Sequence, residues 1–173
     1  MSTKNSNFFS RDCMVQALIQ LLKTKSLSNI TITELTERAG VSRMTYYRNY
    51  HSLDEIFSSY LKDLVESYRQ DVATWPDKGN YNDSRNMLHC SEYFNHYKEF
   101  IACLVQTGLG HLLLQALDSY ILDTYYTEDK GRDFYYTLRA FSGSLYNIYV
   151  TWILEDSKES AEEIVSIIRK IYS

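Results

Sequence analysis

The stretch from Thr33 to Tyr50, TELTERAGVSRMTYYRNY, brings together the cationic, hydroxyl and amide side chains that bind nucleic acids. Its residues are spaced for one short helix before Gly40 and a second short helix after it. Two helices joined by a three-residue turn with glycine at the bend form the helix-turn-helix plan. In that plan the second helix lies in the major groove, so the stretch predicts binding to double-stranded DNA.

The residue types within this stretch suit different parts of a DNA duplex. Arg43 falls in the first turn of the second helix, and arginine to guanine is the commonest specific base contact. Met44 is apolar on a helix face that we expect to be exposed, which is explained if it meets a thymine methyl group or a sugar. Uncharged donors that hold phosphate oxygens without reading sequence are predicted at Thr33, Thr45, Tyr47 and Asn49.

Charge is distributed unevenly along the chain, whose formal net charge is −4. Residues 1–50 hold seven lysines and arginines against three acidic residues, a net charge of +4. The remaining 123 residues hold 11 basic and 19 acidic side chains, a net charge of −8. Such asymmetry favours a nucleic-acid-binding head attached to an ordinary body.

The composition indicates an all-α protein. The chain of 173 residues has one proline and six glycines, too few for a turn-rich β protein or a disordered one. No apolar run approaches the ~20 residues of a membrane span, and the polar N-terminus lacks the apolar segment of a secretory signal. Three cysteines without the spacing of a disulfide framework fit a reducing cytoplasm. We expect the protein to be located in the cytoplasm and not to bind a membrane.

Hydrophobic periodicity predicts nine helices and no sheet. The first helix is expected to begin with Ser10 as its N-cap, and the second to be capped by Thr33 and ended by Gly40. The third is predicted at Arg43 to Asn49, with Ser42 as its cap. The remaining six helices are predicted at about residues 53–74, 84–96, 97–106, 109–126, 132–154 and 160–172.

Residues Ile30 to Ile56, ITITELTERAGVSRMTYYRNYHSLDEI, resemble the DNA-binding domain of the TetR family of bacterial transcriptional regulators. The resemblance rests on the runs A-G-V-S and T-Y-Y and on the apolar positions around them. It implies a three-helix helix-turn-helix DNA-binding domain over residues 1–51. It also implies a roughly six-helix effector-binding and dimerisation domain over residues 52–173.

The resemblance assigns roles to individual positions. Ser42, Arg43 and Met44 correspond to the base-facing start of the recognition helix. Thr33 corresponds to the cap of the preceding helix, which holds a phosphate. The usual backbone- and base-contacting positions of the recognition helix correspond to Thr45, Tyr47 and Asn49.

Two positions depart from the family pattern. Family members commonly carry lysine near position 51 and nearly always at position 53, whereas this chain has His51 and Leu53. Losing a phosphate-seeking lysine weakens nonspecific affinity and its dependence on salt. We therefore expect Arg43 and Arg48 to determine DNA binding more than is usual.

The resemblance also implies a homodimer that represses transcription from a pseudo-palindromic operator, because one recognition helix reads too few base pairs. A small-molecule effector would shift the fourth helix and change the spacing of the two recognition helices. The last two helices, Arg132–Leu154 and Ser160–Tyr172, would pair with their mates in a four-helix bundle. Their apolar stripes predict an interface formed by Phe141, Leu145, Ile148, Tyr149, Trp152, Ile164, Ile168 and Ile171.

The chain has sixteen tyrosines, most of them in its second half. They predict either a ligand pocket lined by aromatic faces or a core and interface filled by tyrosine rings. Arg139 lies among aromatic residues, where it would pair with an anionic ligand or with a nearby carboxylate. The candidate residues for an effector pocket are Tyr93, Tyr97, Tyr120, Arg139 and Tyr146.

Other functional classes find little support in the sequence. The histidines and cysteines show no C-x-x-C or H-x-x-x-H spacing, so neither a metal site nor a cofactor is predicted. No nucleophile motif, phosphate-binding glycine loop or carboxylate pair predicts an enzyme. Residues 141–154 resemble the branch of the family that includes a dihydroxyacetone-kinase operon activator, which leaves open a regulator that works through a protein partner. A further alternative is an interaction protein that does not bind DNA.

Overall fold

The computed structural model describes residues 3–77 and 79–172, whose regular elements are all helical. These residues form nine α-helices and two 3₁₀ turns, Leu27–Asn29 and Glu128–Lys130, and they contain no strand. The all-α prediction is therefore confirmed. The helices are α1 (Thr3–Leu22), α2 (Ile32–Ala39), α3 (Arg43–Asn49), α4 (Leu53–Ala73), α5 (Ser84–Asn95), α6 (Lys98–Gln106), α7 (Gly110–Tyr125), α8 (Gly131–Leu154) and α9 (Ala161–Ile171).

The chain packs as two compact units, which we call the head, Met1–Val65, and the body, Glu66–Ser173. The boundary falls within α4, so the first part of this helix belongs to the head and its last turns belong to the body. The functional division after residue 51 stays a prediction, because it concerns which residues bind DNA rather than how the chain packs.

The core of the head is supplied by α1, α2, α3 and the first part of α4. In it α1 packs against α2, and α2 packs against α3. Fully burying one large apolar side chain contributes about 1.5–3 kcal/mol, so a handful of such residues fixes the arrangement of short helices. The side chains that are less than 2% exposed include Met14, Leu18, Leu35, Tyr46 and Phe57.

The first helix is longer than the sequence pattern predicts. Because α1 runs over Thr3–Leu22, Ser10 lies inside the helix and is not its N-cap. The preceding residues 3–9 contain neither glycine nor proline, so nothing in them stops a helix. Serine is only a moderately weak helix former at an interior position, and the helix passes through it.

In the body, α7 packs against α8, α6 packs against both, and α5 packs against α9. The start of α9 is held by a capping box. The Ser160 hydroxyl accepts from the backbone N–H of Glu163 at 3.2 Å, and the Glu163 carboxylate accepts from the N–H of Ser160 at 2.8 Å. The most completely buried side chains of the body include Ile101, Leu104, Leu138, Phe141 and Ile168.

Neither a single membrane-spanning helix nor a metal-binding cluster occurs in residues 3–77 and 79–172. None of their helices alone has the length and apolar character to cross a membrane. Taken together, α6 and α7 reach that length and composition, but they are bent by 120° at the break between them. The described histidine, cysteine, aspartate and glutamate side chains form no group of three or more that could hold a metal ion.

Candidate nucleic-acid interface

The N-cap of α2 lies two residues earlier than predicted and forms a capping box. Thr31 is the N-cap, because its hydroxyl accepts from the backbone N–H of Glu34 at 3.2 Å and the Glu34 carboxylate accepts from the N–H of Thr31 at 3.4 Å. The Lys25 ammonium also donates to Glu34, and these hydrogen bonds lower the pKa of its carboxyl group. Thr33 lies half-buried in the first turn of α2 and does not cap it. The threonine-x-x-glutamate spacing was the signal that identifies Thr31.

The turn between α2 and α3 requires a glycine. Gly40 has φ of 65° and ψ of 30°. This is a left-handed conformation in which a residue with a Cβ atom is strained. The N–H of Gly40 donates to the carbonyl of Glu37 at 3.2 Å, and the N–H of Val41 donates to the carbonyl of Thr36 at 3.0 Å. These bonds end α2 and set the direction in which the chain enters α3.

The second helix of the motif, α3, has the predicted bounds Arg43–Asn49 and the predicted N-cap, Ser42. The Ser42 hydroxyl accepts from the backbone N–H of Thr45 at 3.1 Å and lies 3.0 Å from the Thr45 hydroxyl. The side-chain amide of Asn49 donates to the carbonyl of Thr45 at 2.7 Å. Ser42, Thr45 and Asn49 therefore already make hydrogen bonds that shape the helix.

The other residues predicted on α3 form one exposed face. Met44 is 78% exposed and Tyr47 is 58% exposed, and both arginines, Arg43 and Arg48, are exposed as well. On the opposite side, Tyr46 is 1% exposed and anchors α3 in the core of the head. Two cations, a thioether and a phenol facing outward from an anchored helix have the chemistry to contact base edges and phosphates.

Arg11, on α1, contacts three residues in two other parts of the head. Its guanidinium donates through Nε to the Tyr50 hydroxyl at 3.3 Å, forms an ion pair with Asp63 at 2.7 Å and donates to the Ser59 hydroxyl. Tyr50 directly follows α3, whereas Ser59 and Asp63 lie one turn apart on α4. The sequence does not reveal this role, because no spacing rule connects residues so far apart along the chain.

The two positions that depart from the family pattern flank the start of α4. His51 is exposed, and its backbone N–H donates to the Glu55 carboxylate at 2.6 Å. Leu53 is half-buried and is the first residue of α4. Neither position supplies a permanent positive charge, and a leading role of Arg43 and Arg48 in DNA binding stays a prediction.

The sequence matches no protein-family profile. A curated relative is named an uncharacterized HTH-type transcriptional regulator, YxbF, from Bacillus subtilis (strain 168). It is 27% identical over 157 residues, which cover 86% of this chain and 41% of the relative. The chain therefore spans less than half the length of the curated relative that it matches.

Solved structures share the fold along almost the whole chain. The dihydroxyacetone kinase operon activator DhaS gives a TM-score of 0.61 at 15% identity, over 94% of this chain and 93% of its own. The fatty acid degradation regulator FadR from Bacillus halodurans gives 0.62 at 13% identity, over 94% and 93%. A TetR transcriptional regulator from Rhodococcus sp. RHA1 gives 0.55 at 18% identity, over 93% of each chain. The chain has the TetR-type fold. These three proteins and YxbF are named as regulators or an activator, and none is named as an enzyme.

In the body of this TetR-type fold, three of the predicted pocket tyrosines belong to an aromatic cluster around Tyr68. The ring centroid of Tyr68 lies 5.2 Å from that of Tyr93 and 5.3 Å from that of Tyr120, and Tyr97 lies 5.5 Å from Tyr93. The guanidinium of Arg69 lies 5.1 Å from the ring of Tyr120. Burial raises the pKa of both Tyr68 and Tyr120. Since these rings pack on one another, their role as pocket residues stays a prediction.

The other two predicted pocket residues have different surroundings. Arg139 forms an ion pair with the Asp118 carboxylate, which also accepts from the Ser142 hydroxyl. Of the two partners that the sequence left open for Arg139, an anionic ligand and a nearby carboxylate, the structure provides the carboxylate. Tyr146 packs its hydroxyl against Gly110, where an added Cβ atom would lie only 2.6 Å from that oxygen.

A small apolar cavity lies among α5, α6, α7 and α8. Its volume is about 20 Å³, enough for a single water molecule. Small-molecule sites enclose about 300–1,000 Å³, so this cavity would have to open to admit an effector. Burial raises the pKa of the Cys90 thiol at its edge to about 12. The lining includes Cys90, Phe94, Leu113, Leu117 and Trp152 but none of the five predicted pocket residues.

The structure corrects most of the predicted dimer interface. Six of the eight residues are buried within the single chain, so they have little surface to offer a second copy. Their apolar stripes face neighbouring helices, because α8 packs against α6 and α7 while α9 packs against α5. Of the remaining two, Ile171 is 60% exposed and Ile148 is half-buried. The six core residues are Phe141, Leu145, Tyr149, Trp152, Ile164 and Ile168.

Proposed function

We propose that this protein is a sequence-specific DNA-binding transcriptional regulator. The observation that carries the proposal is the exposed face of α3, formed by Arg43, Met44, Tyr47 and Arg48 and held in place by the buried Tyr46. This face contributes nothing to the core of the head, and its chemistry suits the edges and phosphates of a major groove. The regulatory names of the similar proteins agree with this function.

Within this proposal the residues of the exposed face have different tasks. Arg43, in the first turn of α3, reads a guanine, because N-terminal residues of a recognition helix contact base edges. Tyr47 and Arg48 hold phosphates and fix the orientation of the helix. Supporting contacts to the duplex come from Thr33, Ser42, Thr45 and Asn49.

The test is selection of preferred duplexes from a random DNA library with the full chain, followed by binding measurements on Arg43→Ala. Because Arg43 is exposed, the variant should fold normally yet lose about 1–3 kcal/mol of discrimination between preferred and altered sites. Lys62→Ala is the matched control, since it removes one exposed positive charge of the head outside α3. Unchanged discrimination in Arg43→Ala, or the absence of any selected sequence, would contradict the proposal.

We infer that the regulator acts as a homodimer on a pseudo-palindromic operator, through the outer faces of α8 and α9. Large apolar side chains remain exposed on both helices, and exposed apolar patches mark interaction surfaces. On α8, Gly143 lies on the same face as the exposed residues Tyr136 and Leu154. A Cβ atom at Gly143 would meet nothing within 4 Å, which leaves room for another helix. The exposed apolar residues are Tyr136 (59%), Leu154 (44%), Ile167 (44%) and Ile171 (60%).

Light scattering on the purified chain tests the dimer. The wild type should have twice the chain mass of 20.3 kDa, and the double variant Ile167→Glu, Ile171→Glu should be monomeric and bind its operator weakly. The control, Ser166→Glu, adds a carboxylate at an exposed position of the same helix outside this face and should remain dimeric. A monomeric wild type would refute the homodimer.

We further propose that the protein is a repressor whose release from DNA depends on a small molecule held in the body. Its aromatic cluster supports this reading, because aromatic rings commonly line ligand sites. The 20 Å³ cavity favours a second candidate, a regulator that acts with a protein partner and no small molecule.

A reporter placed behind the protein's own promoter decides the sign of control, since deletion of a repressor raises expression and deletion of an activator lowers it.

A further inference from the structure

Among the residues whose side-chain exposure the structure describes, Met44 is the most exposed large hydrophobic one. It is the second residue of α3, with 78% of its surface accessible, and so adds little to the core of the head. A neighbouring position on the opposite side of the helix, Tyr46, shows that this short helix buries an apolar residue where packing requires one. The exposure of Met44 therefore calls for a contact outside the protein.

The edges of the bases offer one group that an apolar side chain can contact. A major groove presents hydrogen-bond donors, hydrogen-bond acceptors and a single apolar group, the C5 methyl of thymine. The thioether of Met44 has no hydrogen-bond donor and is only a weak acceptor, so hydrogen bonding cannot explain the exposure of this side chain. Its flexible, polarisable side chain is suited to packing against a small apolar group.

We infer that Met44 is a specificity-determining residue that reads the methyl group of a thymine in each half-site. This inference rests on the proposed function. Arg43 and Met44 are consecutive residues in the first turn of α3, so the thymine lies close to the base pair that Arg43 contacts. Arg43 supplies the hydrogen bonds there, and Met44 supplies the apolar contact that distinguishes thymine from the other three bases.

Replacing single thymines by deoxyuridine tests the inference, because this change removes only the C5 methyl group. With the full chain and its selected operator, one position in each half-site should lose roughly 3- to 5-fold in affinity, as expected for one buried methyl group. Met44→Ala should abolish the difference between thymine and uracil at that position, whereas Met44→Leu should preserve it. Tyr47→Phe is a comparison variant on the same face: loss of its phosphate contact should weaken binding to thymine and uracil duplexes equally and so leave the preference between them unchanged.

The outcomes separate this inference from the proposed function. If the wild type binds thymine and uracil duplexes equally at every position, or if Met44→Ala keeps the wild-type difference, Met44 does not read a methyl group, although selection of an operator still supports a DNA-binding regulator. A chain that selects no DNA sequence overturns both. Thermal melting checks the fold of each variant, and the uracil scan on the wild type decides the question even if Met44→Ala is less stable.

Discussion

At the scale of single residues, some polar side chains of α3 would have to break an existing hydrogen bond in order to contact DNA, and others would not. Thr45 and Asn49 are joined by a hydrogen bond of 2.7 Å, so contacting DNA through that amide means exchanging one hydrogen bond for another. Such exchanges contribute little net free energy. Arg43 and Arg48 extend outward and add a charge-assisted contact instead. Most of the affinity should therefore come from the two arginines.

Leu53→Lys restores the positive charge that TetR-family sequences usually carry at this position. We expect tighter DNA binding at moderate salt, because a lysine contacting phosphate releases about one counterion per subunit. Fluorescence anisotropy at several salt concentrations should show a slope of log K against log salt that is steeper by about one per subunit. Leu53→Met, which keeps the volume without the charge, should bind like the wild type. Equal binding by Leu53→Lys would show that position 53 does not face the DNA backbone.

At the scale of elements, the parts of the fold that local chemistry determines could be predicted from sequence. The bounds of α3, its Ser42 cap and the Gly40 turn were all predicted, because each depends on residues within one helical turn. The cap of α2 was misplaced at Thr33 because two threonines both suit a helix start. Only Thr31 has a glutamate three residues later, and that reciprocal bond decides which threonine caps the helix.

Contacts between distant parts of the chain could not be predicted in the same way. An apolar stripe on α8 looks the same in sequence whether another helix of the chain or a second chain covers it. Phe141 and Ile168 were therefore predicted at the dimer interface, and the structure places them in the core. Likewise, the partner of Arg139 depends on which acidic residue of α7 packs beside it, which periodicity does not reveal.

Arg11→Met should loosen the head by removing its contacts with Tyr50, Ser59 and Asp63. We expect the free energy of unfolding to fall by about 1–2 kcal/mol, since the ion pair is partly exposed and the hydrogen bonds are few. Native-state hydrogen exchange of the α1 and α3 amides measures the change locally. Arg38→Met, which removes an exposed arginine bonded to Gln20, is the control and should cost less than about 0.5 kcal/mol. Equal effects of the two variants would argue against a special role for Arg11.

At the scale of the whole molecule, charge separates the two units. The head carries eight basic and six acidic residues, and the body carries ten basic and 16 acidic residues. An acidic body is repelled by DNA phosphates, so nonspecific attraction is confined to the head. Because the positive charge of the head is modest, we expect weak nonspecific binding, so most of the affinity has to come from specific contacts.

Cys90 offers a measure of whether the body opens. Cys90 is half-buried, and burial raises the pKa of its thiol, so we expect little thiolate at pH 8 and slow reaction in the folded chain. In the variant Cys13→Ser, Cys103→Ala, we expect thiol labelling of Cys90 to be slow in the folded chain and fast in denaturant. An effector that enlarges the adjacent cavity should accelerate it. A chain that keeps Cys13 alone is the control, and fast labelling of folded Cys90 would contradict the burial.

We expect the same thiol to make the stability of the body depend on pH under alkaline conditions. Because the folded pKa of Cys90 is raised, its stabilising contribution is full below the ordinary thiol value of 9.0 and declines as pH rises toward 12. Thermal melting between pH 7 and pH 10 should show this decline, and Cys90→Ala should reduce it. An identical pH profile in Cys90→Ala would show that other groups cause the loss.

The amide of Asn49 that is committed to Thr45 has a consequence for the binding sites themselves. Asparagine reads adenine by using its amide nitrogen and oxygen together, which this residue can do only after giving up its internal bond. We expect natural sites to vary most at the base pair facing this end of the helix and least beside Arg43. Promoters that differ there would be occupied to graded extents by one and the same protein, so a group of genes could share a single regulator and still be expressed at different levels.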